Sequence, residues 1–212
     1  MTELLLVLAG GYLLGSVSGA LLLGRLRGLD IRTMGSGNAG GTNALRTVGW
    51  QFALSVVVID VGKGALAAGA LPLIAPLVAS EPLGFTTLAA AAGFMAVVGH
   101  IWPIFFRFRG GKGAGTAVGA IAVVAPWCLA PLLLVWVVTL VGTGYVGLAT
   151  ILAGLSLVPS MWTLGPRPLP AALAALAIAL AVLLVFTHRA NLARMRAGDE
   201  NRFEKARLLR RR

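Results

Sequence analysis

The sequence predicts an all-α integral membrane protein of seven short transmembrane helices, N-terminus outside and C-terminus cytoplasmic, on three observations. Apolar residues make up 58% of the 212 residues and the mean hydropathy is +0.90, well above the roughly half-apolar usage of a soluble domain. Only 12% of the residues are charged, where a water-facing surface needs about a quarter. The charges that remain fall in clusters between long apolar runs, and Lys and Arg outnumber acidic residues 18 to 7.

Residues 4–23 form an apolar run long enough for one crossing of about 20 residues. It ends at Arg25, Arg27 and Arg32, which marks that end as cytoplasmic and puts the N-terminus outside. The run resembles a signal peptide, with small residues from Ser16 to Ala20, but Glu3 precedes it and no Lys or Arg does, so it reads as an uncleaved first span. A second span is expected over residues 49–73, an outward turn over 72–84 with Glu81 its one charge, and a third span over 85–98. Arg107, Arg109 and Lys112 then mark the inside again.

Between residues 113 and 186 the only charge is Arg167, and both flanks are basic, so the number of crossings there is even. Four crossings of about 17 residues use the stretch better than two, which gives seven. Pro126, Pro131, Gly142, Gly144 and residues 159–170 are expected to mark its turns. With no repeat and no second domain visible, residues 1–212 read as one polytopic membrane domain ending in a basic cytoplasmic segment, 188–212. That segment holds half of the 18 Lys and Arg. Aromatic residues are not interleaved with them, and a basic tail beside a span is usual on the cytoplasmic side, so no nucleic-acid partner is expected. The lone Cys128 lies in an apolar run and rules out a disulfide within the chain.

Three polar constellations sit at ends of spans that the charge rule makes cytoplasmic. The first, GSGNAGGTN followed by Arg46, carries Gly35, Gly37, Gly40 and Gly41, the hydroxyls of Ser36 and Thr42, and the amides of Asn38 and Asn43. Glycines let successive backbone N–H groups turn toward an anion, and a helix starting after Thr42 would aim its positive end there. In the second, GHIWPIFFRFRGGKGAGT over residues 99–116, Gly110, Gly111, Gly113 and Gly115 surround Lys112. This is not a Walker A loop, because the spacing is wrong and no Ser or Thr follows the lysine directly, so ATP loses its best support. The third, HRANLARMRAGDE over residues 188–200, would place His188 and Asn191 on one helix face, with Arg194 on the next turn. Two glycine loops, each with a cation and on one side of a chain with few charges, point to phosphate as ligand.

Asp60 and Lys63 lie three apart inside the second span, where a lone charge is costly, so they are expected to pair with each other. Such a pair is either a structural ion pair facing the bundle or a participant in substrate binding or proton handling. His100, beside Trp102 and Pro103, reads as the cap of an interfacial helix end.

In order and spacing these motifs resemble those of the bacterial acyl-phosphate:glycerol-3-phosphate acyltransferases, and Asp60-x-x-Lys63-Gly64 is similar to a further feature of that family. The resemblance covers nearly the whole chain. It implies a seven-helix enzyme of the bacterial cytoplasmic (inner) membrane that moves a fatty acyl group from acyl phosphate to the 1-hydroxyl of glycerol 3-phosphate. The products would be lysophosphatidate and phosphate, the first step of phospholipid synthesis. Its partners would be the two substrates, membrane lipid and the peripheral acyl-phosphate synthase. A serine that is commonly polar near the family's site has as its nearest candidates here Gly147 and Thr150.

Acyl phosphate is a mixed anhydride with a good leaving group, so no covalent nucleophile is required, and Cys128 has no activating neighbour. What remains is orientation and the neutralisation of charge as the tetrahedral intermediate forms and phosphate departs. Lys112 and Arg46 are expected to hold phosphate groups, with Ser36, Asn38, Thr42, Asn43 and the glycines, Gly110, Gly111 and Gly113 included, shaping the pockets. His188 and Asn191 would orient glycerol 3-phosphate or the developing oxyanion. The base is either His188 or a phosphate oxygen of the substrate, the latter slightly favoured, since no carboxylate close in sequence orients the imidazole. No cofactor and no metal are expected, because only Asp30, Asp60 and Asp199 exist as aspartates. His100 and His188 are followed five residues later by Phe105 and Ala193, not by the aspartate of acyl-CoA-dependent enzymes. The rival class is a small-anion transporter built around Asp60 and Lys63, which would bind without turnover.

Overall fold

The computed structural model describes residues 2–78 and 83–203; Glu81 and the basic residues beyond Phe203 lie outside the described residues. The described residues are helical, with no strand among them. They divide into two compact units, Met1–Val124 and Ala125–Arg212.

In the first unit the initial apolar run is broken. Helix α1 (Thr2–Gly15) and helix α2 (Gly19–Leu26) meet at 45° across Ser16–Ser18. A short helix α3 (Gly41–Thr47) follows the first glycine loop, and the unit continues with α4 (Trp50–Ile74), α5 (Phe85–Ile101) and α6 (Ala114–Val124). Apolar side chains gain little by leaving lipid for a helix interface, so these helices associate by close backbone approach through small residues. Gly11 and Gly15 of α1 lie on the backbone of Ala92 and Ala96 in α5, and Gly99 of α5 lies on Tyr12 and Ser16. Gly64 of α4 meets Thr116 of α6, and Gly119 of α6 meets Val61 of α4. A methyl group at any of these positions would collide with main chain. Under the first loop a small core joins Ala20, Leu21, Ile31, Ala39, Ala44, Phe52 and Val56.

The second unit holds α7 (Leu129–Thr143), α8 (Val146–Leu164), α9 (Ala171–Thr187) and α10 (Arg189–Ala197), the last bent 45° from α9. The stretch between residues 113 and 186 therefore contains four helices. The turns fall at Pro126–Cys128, at Gly144, whose φ is +77°, and at 165–170. Pro131, Gly142 and Pro159 were expected in turns and instead lie within helices. Pro131 sits in the first turn of α7, where its missing N–H has no helical partner to lose. Pro159 sits inside α8, and in an apolar segment the helix persists because any other backbone would leave more groups unpaired. Trp50, Trp102, Trp127 and Trp162 are exposed near helix ends, the placement of tryptophan at membrane interfaces.

Candidate active site

The first loop is shaped by Asn43, which is buried. Its Oδ1 accepts from the Ser36 N–H at 2.9 Å, and its Nδ2 donates to the carbonyls of Ile31 and Met34 at 3.1 and 2.9 Å. One side chain thus ties three backbone groups of the loop to α3. Gly35 and Gly37 adopt φ of +55° and +71°, a region that side-chain-bearing residues seldom enter. Helix α3 begins at Gly41, ahead of the start after Thr42 that the sequence led one to expect. Ser36 and Arg46 are exposed, and Asn38, Gly40 and Thr42 are half-buried.

The second loop is folded back on the end of α5. Gly110 N–H donates to Ile101 O and Gly111 N–H to His100 O, both at 3.1 Å. Arg107 and Phe108 take φ of +57° and +58°, a costly conformation for residues with side chains that recurs at ligand-binding sites. A Cβ on Gly110 would collide with the His100 carbonyl, and one on Gly111 with both the His100 ring and the Ala39 carbonyl. Gly111 is thus the point where the two glycine loops touch, and Lys112, half-buried, is the next residue.

Arg32 forms a second tie between the loops, and the sequence reading took it only as a topology marker. Its Nε and one terminal nitrogen bind the Asp30 carboxylate at 2.9 and 2.7 Å, while the other donates to the carbonyls of Phe106 and Arg109 at 3.3 Å. The hydrogen bond from Arg32 holds the Asp30 carboxyl below the ordinary aspartate range. The two loops expected to hold phosphate are therefore brought together within one unit, with Gly113 buried behind Lys112 at φ +88°.

Beneath the loops Asp60 and Lys63 do pair, at 3.1 Å, and both are at most 5% exposed. His100 joins them, its Nδ1 2.9 Å from Lys63 Nζ and 3.4 Å from Asp60 Oδ1. The expectation that His100 caps an interfacial end is corrected: it lies in the last turn of α5, 3% exposed, with its ring turned to charges inside the bundle. Spacing in sequence could not show this, since residue 100 meets residue 63 only through packing of α5 on α4.

In the second unit His188 sits at the break between α9 and α10, where the last apolar run stops. Its Nδ1 is 2.8 Å from Leu184 O. A carbonyl can only accept, so Nδ1 carries a proton. The ring is thus oriented by a carbonyl, where the sequence offered no carboxylate. Asn191 is buried one turn on, and its Nδ2 donates to Glu200 Oε1 at 2.7 Å; Arg194 donates to Glu200 Oε2, also at 2.7 Å. Glu200 was missed as a partner. The available signal was Gly198, whose φ of +81° ends α10 and turns the acidic residues after it back along the helix.

Gly147 also bears on Asn191, since a Cβ there would fall 2.8 Å from the Asn191 side chain. Thr150, the other candidate for a polar group, donates to Val146 O at 2.9 Å and accepts from Trp136 Nε1 at 3.3 Å. An apolar groove of about 560 Å³ runs between α8 and α9, lined by Leu155, Val158, Ile178, Ala181, Val182, Val185 and Phe186. No cluster of three or more His, Cys, Asp or Glu side chains able to hold a metal is found among the described residues.

Comparison with known proteins bears on the whole of this arrangement. Residues 5–198 match the family model described as glycerol-3-phosphate acyltransferase. The chain is 41% identical to a glycerol-3-phosphate acyltransferase of Symbiobacterium thermophilum, over 95% of this chain and 96% of that one. It is 37% identical to that of Geotalea daltonii, over 97% and 100%. It is also similar to crystal structures of PlsY, an integral membrane glycerol 3-phosphate acyltransferase. The glycerol 3-phosphate form superposes with a TM-score of 0.83 at 34% identity, covering 96% of each chain. The lysophosphatidic acid form gives 0.82 at 31%, covering 96% and 97%. Fold, motifs and relatives agree: the chain belongs to the glycerol-3-phosphate acyltransferase family.

Proposed function

We propose that this protein transfers a fatty acyl group from acyl phosphate to the 1-hydroxyl of glycerol 3-phosphate, giving lysophosphatidate and inorganic phosphate. The observation that carries the reading is the junction of the two glycine loops in the first unit, where Gly111 lies on Ala39 and Arg32 bridges to Phe106 and Arg109. Exposed glycine backbone and the cations Arg46 and Lys112 in one region suit phosphate groups, which both substrates carry. Ser36, Asn38 and Thr42 line that region and Asn43 fixes its shape. In the second unit His188 and Asn191 orient the hydroxyl or the oxyanion, each with its polar end preset by a hydrogen bond. The donor is already activated, so orientation and neutralisation of charge suffice. The acyl chain finds apolar surface in the α8–α9 groove, whose volume lies within the range of about 300–1,000 Å³ usual for small-molecule sites.

The topology we propose has seven crossings, N-terminus outside and C-terminus cytoplasmic, in the bacterial inner membrane, with the units joined as one polytopic domain. Among the described residues four helices are long and apolar enough to cross, and the two bent pairs raise the number to six. Helix α6, apolar and 11 residues long, supplies the seventh. A peripheral acyl-phosphate synthase on the cytoplasmic face would deliver the donor, whose tail keeps it at the membrane.

The test is to incubate purified protein with labelled glycerol 3-phosphate and either acyl phosphate or acyl-CoA. Lysophosphatidate from acyl phosphate alone is expected; product from acyl-CoA would replace the donor, and saturable binding without product would favour a transporter. In the same assay Lys112→Ala is expected to lose about 100-fold or more in turnover, as for removal of a single charge-stabilising donor, with its unfolding temperature unchanged.

A further inference from the structure

The Asp60–Lys63–His100 cluster is not used by the reaction above, and its contacts run in two directions. On one side it closes the break in the first span. Lys63 Nζ donates to the carbonyls of Gly15 and Val17 at 2.7 and 2.9 Å, and Asp60 Oδ1 accepts from the Gly19 N–H at 3.1 Å. These are backbone groups that a continuous helix would have satisfied and that lipid cannot. On the other side His100 reaches the second glycine loop twice, its carbonyl accepting from Gly111 N–H and its Nε2 edge lying against the Gly111 α-carbon.

The tautomer follows from these contacts. An ammonium only donates, so His100 Nδ1 is the acceptor for Lys63 and the ring proton is on Nε2, the edge that faces Gly111 and the Ala39 carbonyl beside it. The imidazole is pinned at one nitrogen by a buried charge and wedged at the other against the residue that precedes Lys112. Rotation about its side-chain bonds would break the contact with Lys63 and leave the buried ammonium to the Gly15 and Val17 carbonyls and Asp60 alone, at a depth where losing a partner is costly.

The geometry points to His100 as a positioning residue for Lys112, held rigid by the Lys63–Asp60 pair, so that the kink of the first span and the phosphate-facing loop are set by one buried cluster. This rests on the reading of Lys112 as a phosphate-holding residue. The cluster touches no substrate in this scheme; it fixes where the lysine backbone starts. A phosphate-holding group displaced by about 1 Å makes poorer contacts with its ligand, so a rigid mount under the loop bears on how firmly the phosphorylated substrate is held.

The experiment compares wild type, His100→Ala and His100→Asn in detergent, by steady-state kinetics with both substrates and by amide hydrogen exchange. Asn keeps an acceptor near the Nδ1 position and so preserves the hold on Lys63. For His100→Ala, KM for one phosphorylated substrate is expected to rise about tenfold with kcat changed far less, the pattern of lost binding geometry. Exchange at residues 110–113 should accelerate while that of α8 and α9 stays the same, and His100→Asn should recover part of both effects. Unchanged KM for both substrates, a loss in kcat alone, His100→Asn as impaired as His100→Ala, or unfolding of both variants would each overturn the proposal, the last in favour of a purely structural cluster. Should wild type itself form no lysophosphatidate, the reaction assigned above fails, and the exchange rates at 110–113 still decide whether His100 mounts the loop.

Discussion

Two buried carboxylates organise this protein, and they work over different distances. Asp60 draws its partners from two remote segments and from its own helix: Gly19 lies 41 residues before it, His100 lies 40 after, and Lys63 is its neighbour on α4. Glu200 has partners only six and nine residues away, Arg194 and Asn191. The first fixes a tertiary arrangement, joining a broken helix, a neighbouring span and a loop. The second fixes two side chains of one helix. A buried charge must be satisfied in either case, but only the first holds distant parts of the chain together. Removing Asp60 should therefore be felt as a loss of stability, and weakening Glu200 as a loss of catalysis.

The largest effect is expected for Asp60→Leu, which leaves the Lys63 ammonium buried without its counter-charge. Breaking a buried pair in this way costs about 3–5 kcal/mol, so the unfolding midpoint in detergent should fall sharply and expression with it. Asp60→Leu combined with Lys63→Met should recover part of that loss, because the unpaired charge is gone while the Gly15 and Val17 carbonyls and the Gly19 N–H still lose their partners. If the single variant unfolds like wild type, Asp60 is not the tertiary tie described here.

Glu200→Gln tests the other half. The amide can still accept from Asn191, but the charge that draws Arg194 is gone; with Arg194 36% exposed, that pair contributes less than about 1 kcal/mol to stability. The expected result is turnover reduced by about tenfold or more with a melting temperature close to wild type. An equal loss of both would erase the contrast between the two carboxylates.

Gly147→Ala sharpens the same point from the facing helix. Asn191 is held by Glu200 and would meet the new methyl below normal contact distance, so it must shift. Overpacking of this kind costs about 1–3 kcal/mol, and kcat should fall severalfold with substrate KM little altered. Activity equal to wild type would show that Asn191 has room to move.

The smallest effect concerns the exposed Asp30–Arg32 pair. The hydrogen bond from Arg32 lowers the Asp30 pKa in the folded state. Its contribution is therefore complete above the unfolded value of about 3.9 and fades as the pH falls through the lower folded value. With side-chain exposures of 30% and 42%, the pair contributes less than about 1 kcal/mol. Asp30→Asn should lower the neutral plateau of a stability–pH curve by that small amount and flatten its acid limb.

Hydropathy and charge made the helical frame legible. The second and third spans, expected over 49–73 and 85–98, appear as Trp50–Ile74 and Phe85–Ile101, because long apolar runs in lipid have few alternatives to helix. The break at Ser16–Ser18 was not legible, since small residues there also suit a continuous span and the groups that stabilise the break come from α4. Prolines misled for a related reason: Pro159 would interrupt a helix in water, yet stays inside α8. At the site, glycine spacing pointed to the loops and to Lys112. The partners His100, Arg32 and Glu200 required the fold, since each is defined by the residue it touches. For Asn191 the contact lies beyond the glycine turn at Gly198, where a helical face no longer predicts neighbours.

The return of the chain after α10 has a consequence for biosynthesis. Glu200 grips Asn191, Arg202 donates to the Tyr145 hydroxyl and stacks on its ring, and the Phe203 amide closes on Gly144. Asn191 gains its acceptor only once the ribosome has extruded residues that come after every described helix. A nascent chain halted just past Gly198 would already contain every described helix and still lack Glu200, so acquisition of activity should lag behind membrane insertion of the spans.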